Sequence, residues 1–266
     1  MADATDDGDI LEIAHINRAG TPVALYRPGG AEGTAIYLHG GGWVLGGLET
    51  YEDVCCDLAR RSRSIVAAAD YSLAPDGHHP SQIKEVMAVL RYFRRSGRPV
   101  ALAGDGVGAY LAVQTAVAAI RRGIPLAGLA LIYPLIGPPR AGAPAAATVP
   151  GIAAQWDLYL PNLPGADDPA LWLDDLDLRG LPETFVVTAA DDPMRGEAVR
   201  LAEAFTAAGG RAELFTHEGA RHDFLLPRPP GPAADAGLAE LADYLAPRLG
   251  VQALVWSTYP GGAARR

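Results

Sequence analysis

Apolar residues fall along this chain in short blocks separated by glycine, proline and charge, and the blocks alternate between two kinds. The first kind is a brief run of small or β-branched apolar residues, at 34–38, 64–69, 100–103, 127–133 and 184–188. Such runs read as strands buried on both faces. The second kind is longer and carries charges on one side, at 51–61, 81–95, 197–208 and 233–249, which reads as amphipathic helix. An Ala-rich segment running to Arg121 adds a packed helix directly after the strand at 100–103. Strands alternating with helices of these lengths predict an α/β fold, a mostly parallel, doubly wound sheet with helices on both faces. Ahead of that series, 11–16 and 23–27 alternate around Gly20-Thr21-Pro22 and predict an opening hairpin; residues 212–216 add a late strand.

Three stretches stand outside the rhythm. Residues 1–10 are polar and acidic and are expected to be mobile. Residues 137–164 are rich in Pro, Ala and Gly and then carry Trp156 and Tyr159. An insertion at this point of an α/β sheet sits over the carboxyl edge of the strands, so it is expected to form a small cap that contacts substrate. Residues 251–266 open on an apolar run and end in a tail with Gly and Arg, without a readable role. The expected organisation is a single domain over 1–266.

Composition narrows the function without naming it. A chain of 266 residues, 49% hydrophobic, can bury a sizeable core as one α/β unit. A net charge of −9, with Lys84 the only lysine and the arginines scattered, argues against a nucleic-acid surface. Cys55 and Cys56 are adjacent within a predicted helix and suggest no disulfide framework. The acidic start carries no secretory pattern, and no apolar run is long enough to span a bilayer. A cytoplasmic protein with a small-molecule partner is therefore expected, with self-association left open.

The turn between the strand at 100–103 and the Ala-rich helix is Gly104-Asp105-Gly106-Val107-Gly108-Ala109. It formally satisfies the dinucleotide pattern G-x-G-x-x-A. That chemistry needs an acidic residue about 20 positions on, yet no Asp or Glu occurs from Gly106 through Trp156. The same turn fits the frame of a nucleophile elbow, G-x-S-x-G, with Gly106 in place of the serine. Glycine occupies the strained elbow backbone at the lowest steric cost, so the exchange keeps the turn and removes the nucleophile.

Other clusters point the same way. The strand at 34–38 runs into His39-Gly40-Gly41-Gly42-Trp43, where three glycines free backbone N–H groups to face a negative oxygen. Asp191 and Asp192 follow the strand at 184–188, and His222-Asp223-Phe224 follows the strand at 212–216. His78 and His79 have no further ligands at metal spacing and read as solvent-facing loop residues. No metal and no cofactor are expected.

From about residue 34 to 249 the chain resembles the hormone-sensitive-lipase group of α/β-hydrolases, the esterases with an H-G-G-G motif. The matching pieces, in the family's order, are His39-Gly40-Gly41-Gly42-Trp43, Asp70-Tyr71-Ser72-Leu73-Ala74-Pro75, the Gly104–Gly108 elbow, Asp192-Pro193-Met194-Arg195 and His222-Asp223-Phe224. The resemblance implies that Gly40, Gly41 and Val107 offer oxyanion-hole N–H groups. It also implies that Asp192, favoured over Asp191, orients His222 as general base and acid. His39, Trp43, Asp105, Trp156 and Tyr159 are the expected substrate contacts.

The chain departs from the group in its short N-terminal part and, more seriously, at Gly106. With no serine, an oxyanion hole plus an Asp–His base suits elimination, dehydration or cyclisation of a small carbonyl compound, a lyase-like or cyclase-like activity. Plant-carboxylesterase-like dehydratases and cyclases with altered elbows are the family precedent. The first alternative is a carboxylesterase-type hydrolase that uses activated water or whose serine has been substituted. The second is a non-catalytic binding protein on the same scaffold, as in the gibberellin-receptor branch.

Overall fold

The structure, a computed structural model, describes residues 11–139, 151–161, 168–226 and 230–251. An opening hairpin, β1 (Leu11–Arg18) and β2 (Thr21–Pro28), turns at Ala19-Gly20, both with positive φ. It leads into β3 (Thr34–Leu38), α1 (Leu48–Ser62), β4 (Ile65–Ala69), α2 (Ser81–Arg94), β5 (Val100–Asp105), α3 (Val107–Ile120) and β6 (Leu129–Ile132). Then follow α4 (Ile152–Tyr159), β7 (Thr184–Ala189), α5 (Arg195–Ala207), β8 (Ala212–His217) and α6 (Pro232–Arg248). The strands form an eight-stranded sheet in the order β1-β2-β4-β3-β5-β6-β7-β8. Pairings from β4 through β8 are parallel, whereas β1 with β2 and β2 with β4 are antiparallel.

The expected α/β architecture is therefore present, and the period of two in the strands explains its two cores. Ile36, Leu102, Leu131 and Val186 point to one face, where α2, α3 and α5 pack. Ala35, Ala103, Ile132 and Val187 point to the other, covered by α1 and α6. Helix α3 is buried on nearly all sides, as its Ala-rich sequence requires. At Gly108 a Cβ would collide with the backbone carbonyls of Leu38 and His39, so this glycine lets α3 lie directly on the end of β3.

This topology places the site. The connection from β3 runs outward to β4 over one face through α1, while that from β5 runs the opposite way to β6 through α3. The two connections diverge at the carboxyl ends of β3 and β5, the switch point where open α/β sheets bind ligands. No helix among the described residues is long and apolar enough to cross a membrane. The expectations for residues 1–10, for 140–150 and 162–164 of the expected cap, and for 252–266 fall outside the described residues.

Candidate active site

Five loops meet at the carboxyl edge of the sheet. Gly106, between β5 and α3, has φ 52° and ψ −118°, a conformation that L side chains resist. A Cβ built on it would lie 3.8 Å from His222 Nε2 and 3.9 Å from the Gly40 Cα. The elbow therefore points the missing side chain at the histidine, with room to spare. Val107 opens α3 immediately behind it, so its N–H has no partner within the helix.

His222 follows β8. Its Nδ1 lies 2.7 Å from Asp192 Oδ2, in the loop after β7, and its ring packs on Tyr133 with centroids 4.7 Å apart. The Asp192 side chain is almost wholly buried, and its Oδ1 accepts the Met194 N–H at 2.8 Å. Asp191, by contrast, is exposed. Burial alone would lower the His222 pKa, but the hydrogen bond and charge of Asp192, with the charges of Asp223 and Asp105, leave it raised. Asp223 itself sits at φ 62°, with Oδ1 3.6 Å from His222 Nε2.

The oxyanion loop differs from expectation at one residue. The Gly40 N–H donates to Asp105 Oδ1 at 3.0 Å and to the Tyr51 hydroxyl at 3.1 Å, so it is engaged beneath the loop and unavailable to an oxyanion. Gly41 and Gly42 are the glycines that border the cavity. Gly40 is instead an anchor, drawn down because Asp105 offers it a buried carboxylate.

The five expected substrate contacts are also relocated. His39, Trp43, Asp105, Trp156 and Tyr159 are all buried, and none borders the cavity. Trp43 stacks on Tyr159, 4.2 Å between centroids, and packs against Trp156 at 4.3 Å, so these aromatics fix α4 to the loop after β3. His39 stacks on Tyr71 and its Nδ1 contacts the Gly40 carbonyl at 2.7 Å. Burial lowers its pKa and keeps it neutral. His78 and His79 are half-buried rather than solvent-facing: His78 Nδ1 donates to the Leu158 carbonyl at 3.0 Å, and the His79 N–H donates to the Tyr159 carbonyl at 3.1 Å. Both hold α4 in place.

Asp105 lies at the centre of a buried network. Oδ1 accepts from the Tyr37 hydroxyl at 2.9 Å, and Oδ2 from Tyr51 at 2.8 Å and Tyr133 at 3.3 Å. Burial pushes its pKa up to about 6 against the lowering effect of the Tyr51, Tyr37 and Gly40 hydrogen bonds. Burial first, and then the Asp105 charge, hold all three phenols above their ordinary range and so protonated.

What remains open is a cavity of about 210 Å³ between Gly41, Gly42, Gly106, Val107 and His222. Its apolar wall is Leu45, Leu135, Ile152 and Met194, and its further polar groups are Gln155 and Asp223. Sequence reasoning assigned none of these six to the site. Met194 lies two residues after Asp192 and Asp223 directly after His222, and that nearness in the chain was their only signal. Ile152 and Gln155 lie within 137–164, the stretch expected to contact substrate, whereas Leu45 and Leu135 carried no signal.

A strand-ending elbow, a glycine loop opposite it and an acid–base pair in that chain order belong together in one known arrangement. Residues 35–226 match the alpha/beta hydrolase fold family. The chain belongs to the α/β-hydrolase family. It is 33% identical over 226 residues to the carboxylesterase NlhH of Mycobacterium tuberculosis, covering 77% of this chain and 71% of that one. It is 29% identical to an esterase of Gibberella moniliformis, covering 77% of this chain and 71% of the other. Among solved structures, a thermostable esterase of Pseudomonas putida superposes with a TM-score of 0.82 at 25% identity, covering 92% of this chain and 86% of that one. Within the α/β-hydrolases the chain thus stands with the H-G-G-G carboxylesterase group. These relatives are named for ester hydrolysis, and they support the hydrolase reading over the lyase or cyclase one.

Proposed function

We propose that this α/β-hydrolase cleaves small esters by direct attack of a water molecule, without an acyl-enzyme. The observation that carries the reading is His222: Asp192 orders one ring nitrogen, while the other faces the space over Gly106 where a serine oxygen would stand. That space accepts a water within hydrogen-bond range of Nε2. His222 takes a proton from the water as its oxygen bonds to the acyl carbon. Negative charge then develops on the former carbonyl oxygen, for which the Gly41, Gly42 and Val107 N–H groups are the proposed donors. The intermediate collapses as the ester C–O bond breaks, and His222 returns the proton to the leaving alcohol. Asp192 keeps its proton-free form throughout, orienting the imidazole and stabilising it when charged.

The cavity volume and its apolar wall fit a short acyl group, and Ile152 and Gln155 of α4 border it. The oxyanion donors and substrate binding alone can leave about 10³–10⁴-fold catalysis over water, and general-base work by His222 adds about 10²–10⁴-fold to that.

The test is hydrolysis of p-nitrophenyl acetate in ¹⁸O-labelled water, with intact-protein mass measured during turnover. Acetate carrying one labelled oxygen, with no acylated protein, is the expected result. Acyl-protein accumulation would overturn direct water attack. Absence of turnover, with retained binding of a short ester analogue, would replace catalysis with ligand binding.

A further inference from the structure

Without serine, the attacking oxygen loses its covalent tether, and a single hydrogen bond to His222 would leave a water free to swing. We propose that Asp223 supplies the second anchor, so that Asp223 and His222 together hold the attacking water over Gly106. As a catalytic statement this rests on the hydrolytic reading above; as a statement about a water site it stands on geometry alone.

Three features carry it. Asp223 adopts φ 62°, a region that non-glycine residues rarely enter and that Asp tolerates better than most. The backbone there brings the carboxylate back toward the imidazole. Its Oδ1 is 3.6 Å from His222 Nε2, too far for a direct hydrogen bond and close enough for one water to reach both. Gly106, His222 and Asp223 border the same cavity, and Gly106 contributes no side chain to fill the point where they converge. Among the described residues the Asp223 carboxylate has no partner other than His222.

Two acceptors on one water fix both of its protons, one toward Nε2 and one toward Oδ1. Its two lone pairs are then directed away from both, and one of them faces an acyl carbon seated against Gly41 and Gly42. During reaction only the proton facing Nε2 transfers. The proton facing Asp223 stays on the oxygen that becomes part of the product acid, so Asp223 remains ionised and the step balances.

The test uses Asp223→Gly, which fits the positive φ and should fold, with Asp223→Asn as a second variant that keeps the size. Crystal structures of the protein and of D223G come first. A water within hydrogen-bond range of both Nε2 and Oδ1, displaced in D223G, is expected; no such water, or one that persists unmoved in D223G, overturns the proposal. Rates on p-nitrophenyl acetate then follow, on the pH plateau so that His222 ionisation does not enter. Loss of positioning is expected to lower turnover by about 10-fold or more in D223G, with a smaller loss in D223N. In a G106S background the nucleophile is tethered, and the loss from D223G should be at least about fivefold smaller. Equal losses in the two backgrounds would mean that Asp223 acts only through His222, and would overturn it. If no Gly106 form turns over, the hydrolytic reading fails, and the crystallographic water alone decides the site.

Discussion

At Gly106 the backbone holds the elbow geometry although nothing is left for it to present. A serine there would meet no atom closer than 3.8 Å to its Cβ, so Gly106→Ser is limited by backbone strain and not by space. We expect this variant to lose about 1–3 kcal/mol of stability, the cost of an L-residue held in a sparsely populated positive-φ conformation, in a denaturant melt. On the same short ester it should gain at least about 100-fold in kcat, because a tethered nucleophile now faces an intact Asp–His pair. His222 sets the pH dependence. It must be neutral to accept a proton, and its pKa is raised, so activity should climb with pH along a limb whose midpoint lies above the ordinary histidine value. The linkage has the opposite sense for stability: the charged Asp192–His222 pair contributes fully below the unfolded pKa and fades as pH rises through the folded one. A kcat/KM profile beside urea melts over the same range measures both. The Asp192–His222 pairing and the turn at Gly106 were legible because each residue lies just beyond a strand. The role of Gly40 was not, since it depends on a carboxylate 65 residues away.

At the scale of elements, one network joins four of them. Asp105 ends β5 and accepts from Tyr37 of β3, from Tyr51 of α1, from Tyr133 just after β6 and from the loop that β3 feeds. The buried charge is a net cost, and its pKa of about 6 says so. The folded state therefore binds the proton more readily than the unfolded one, and stability falls as pH rises from about 4 to about 6. The shift corresponds to about 3 kcal/mol. Asp105→Asn removes this dependence, so the lead of the unaltered protein over the variant should shrink by about 2–3 kcal/mol between pH 4.5 and pH 7.5 in urea melts. An unchanged difference would mean that Asp105 titrates as an ordinary carboxylate. The strands and helices themselves were readable from periodicity, because two-sided burial of β3 to β7 demands unbroken apolar runs. Which aromatics served the ligand was not readable. Trp43, Trp156 and Tyr159 meet only once α4 has folded back over the loop after β3, and they then pack on one another and not on the cavity.

For the whole molecule, function follows from sheet order. Connections leaving β3 and β5 in opposite directions open a cleft at their carboxyl ends, and the loops after β7 and β8 bring Asp192 and His222 together at its rim. The order nucleophile position, acid, histidine could be read from the chain because each lies just beyond a strand. The reaction class could not, because it turns on what occupies the space above Gly106, and neighbours in space rather than in sequence determine that. The chain belongs to the α/β-hydrolases and its named relatives are esterases, and the central claim is that its His–Asp pair works without the serine. The most direct measurement is turnover of p-nitrophenyl acetate by the protein beside His222→Ala, both confirmed as folded. General-base catalysis predicts a loss of about 10²–10⁴-fold in the variant. Equal rates in the two proteins would contradict it.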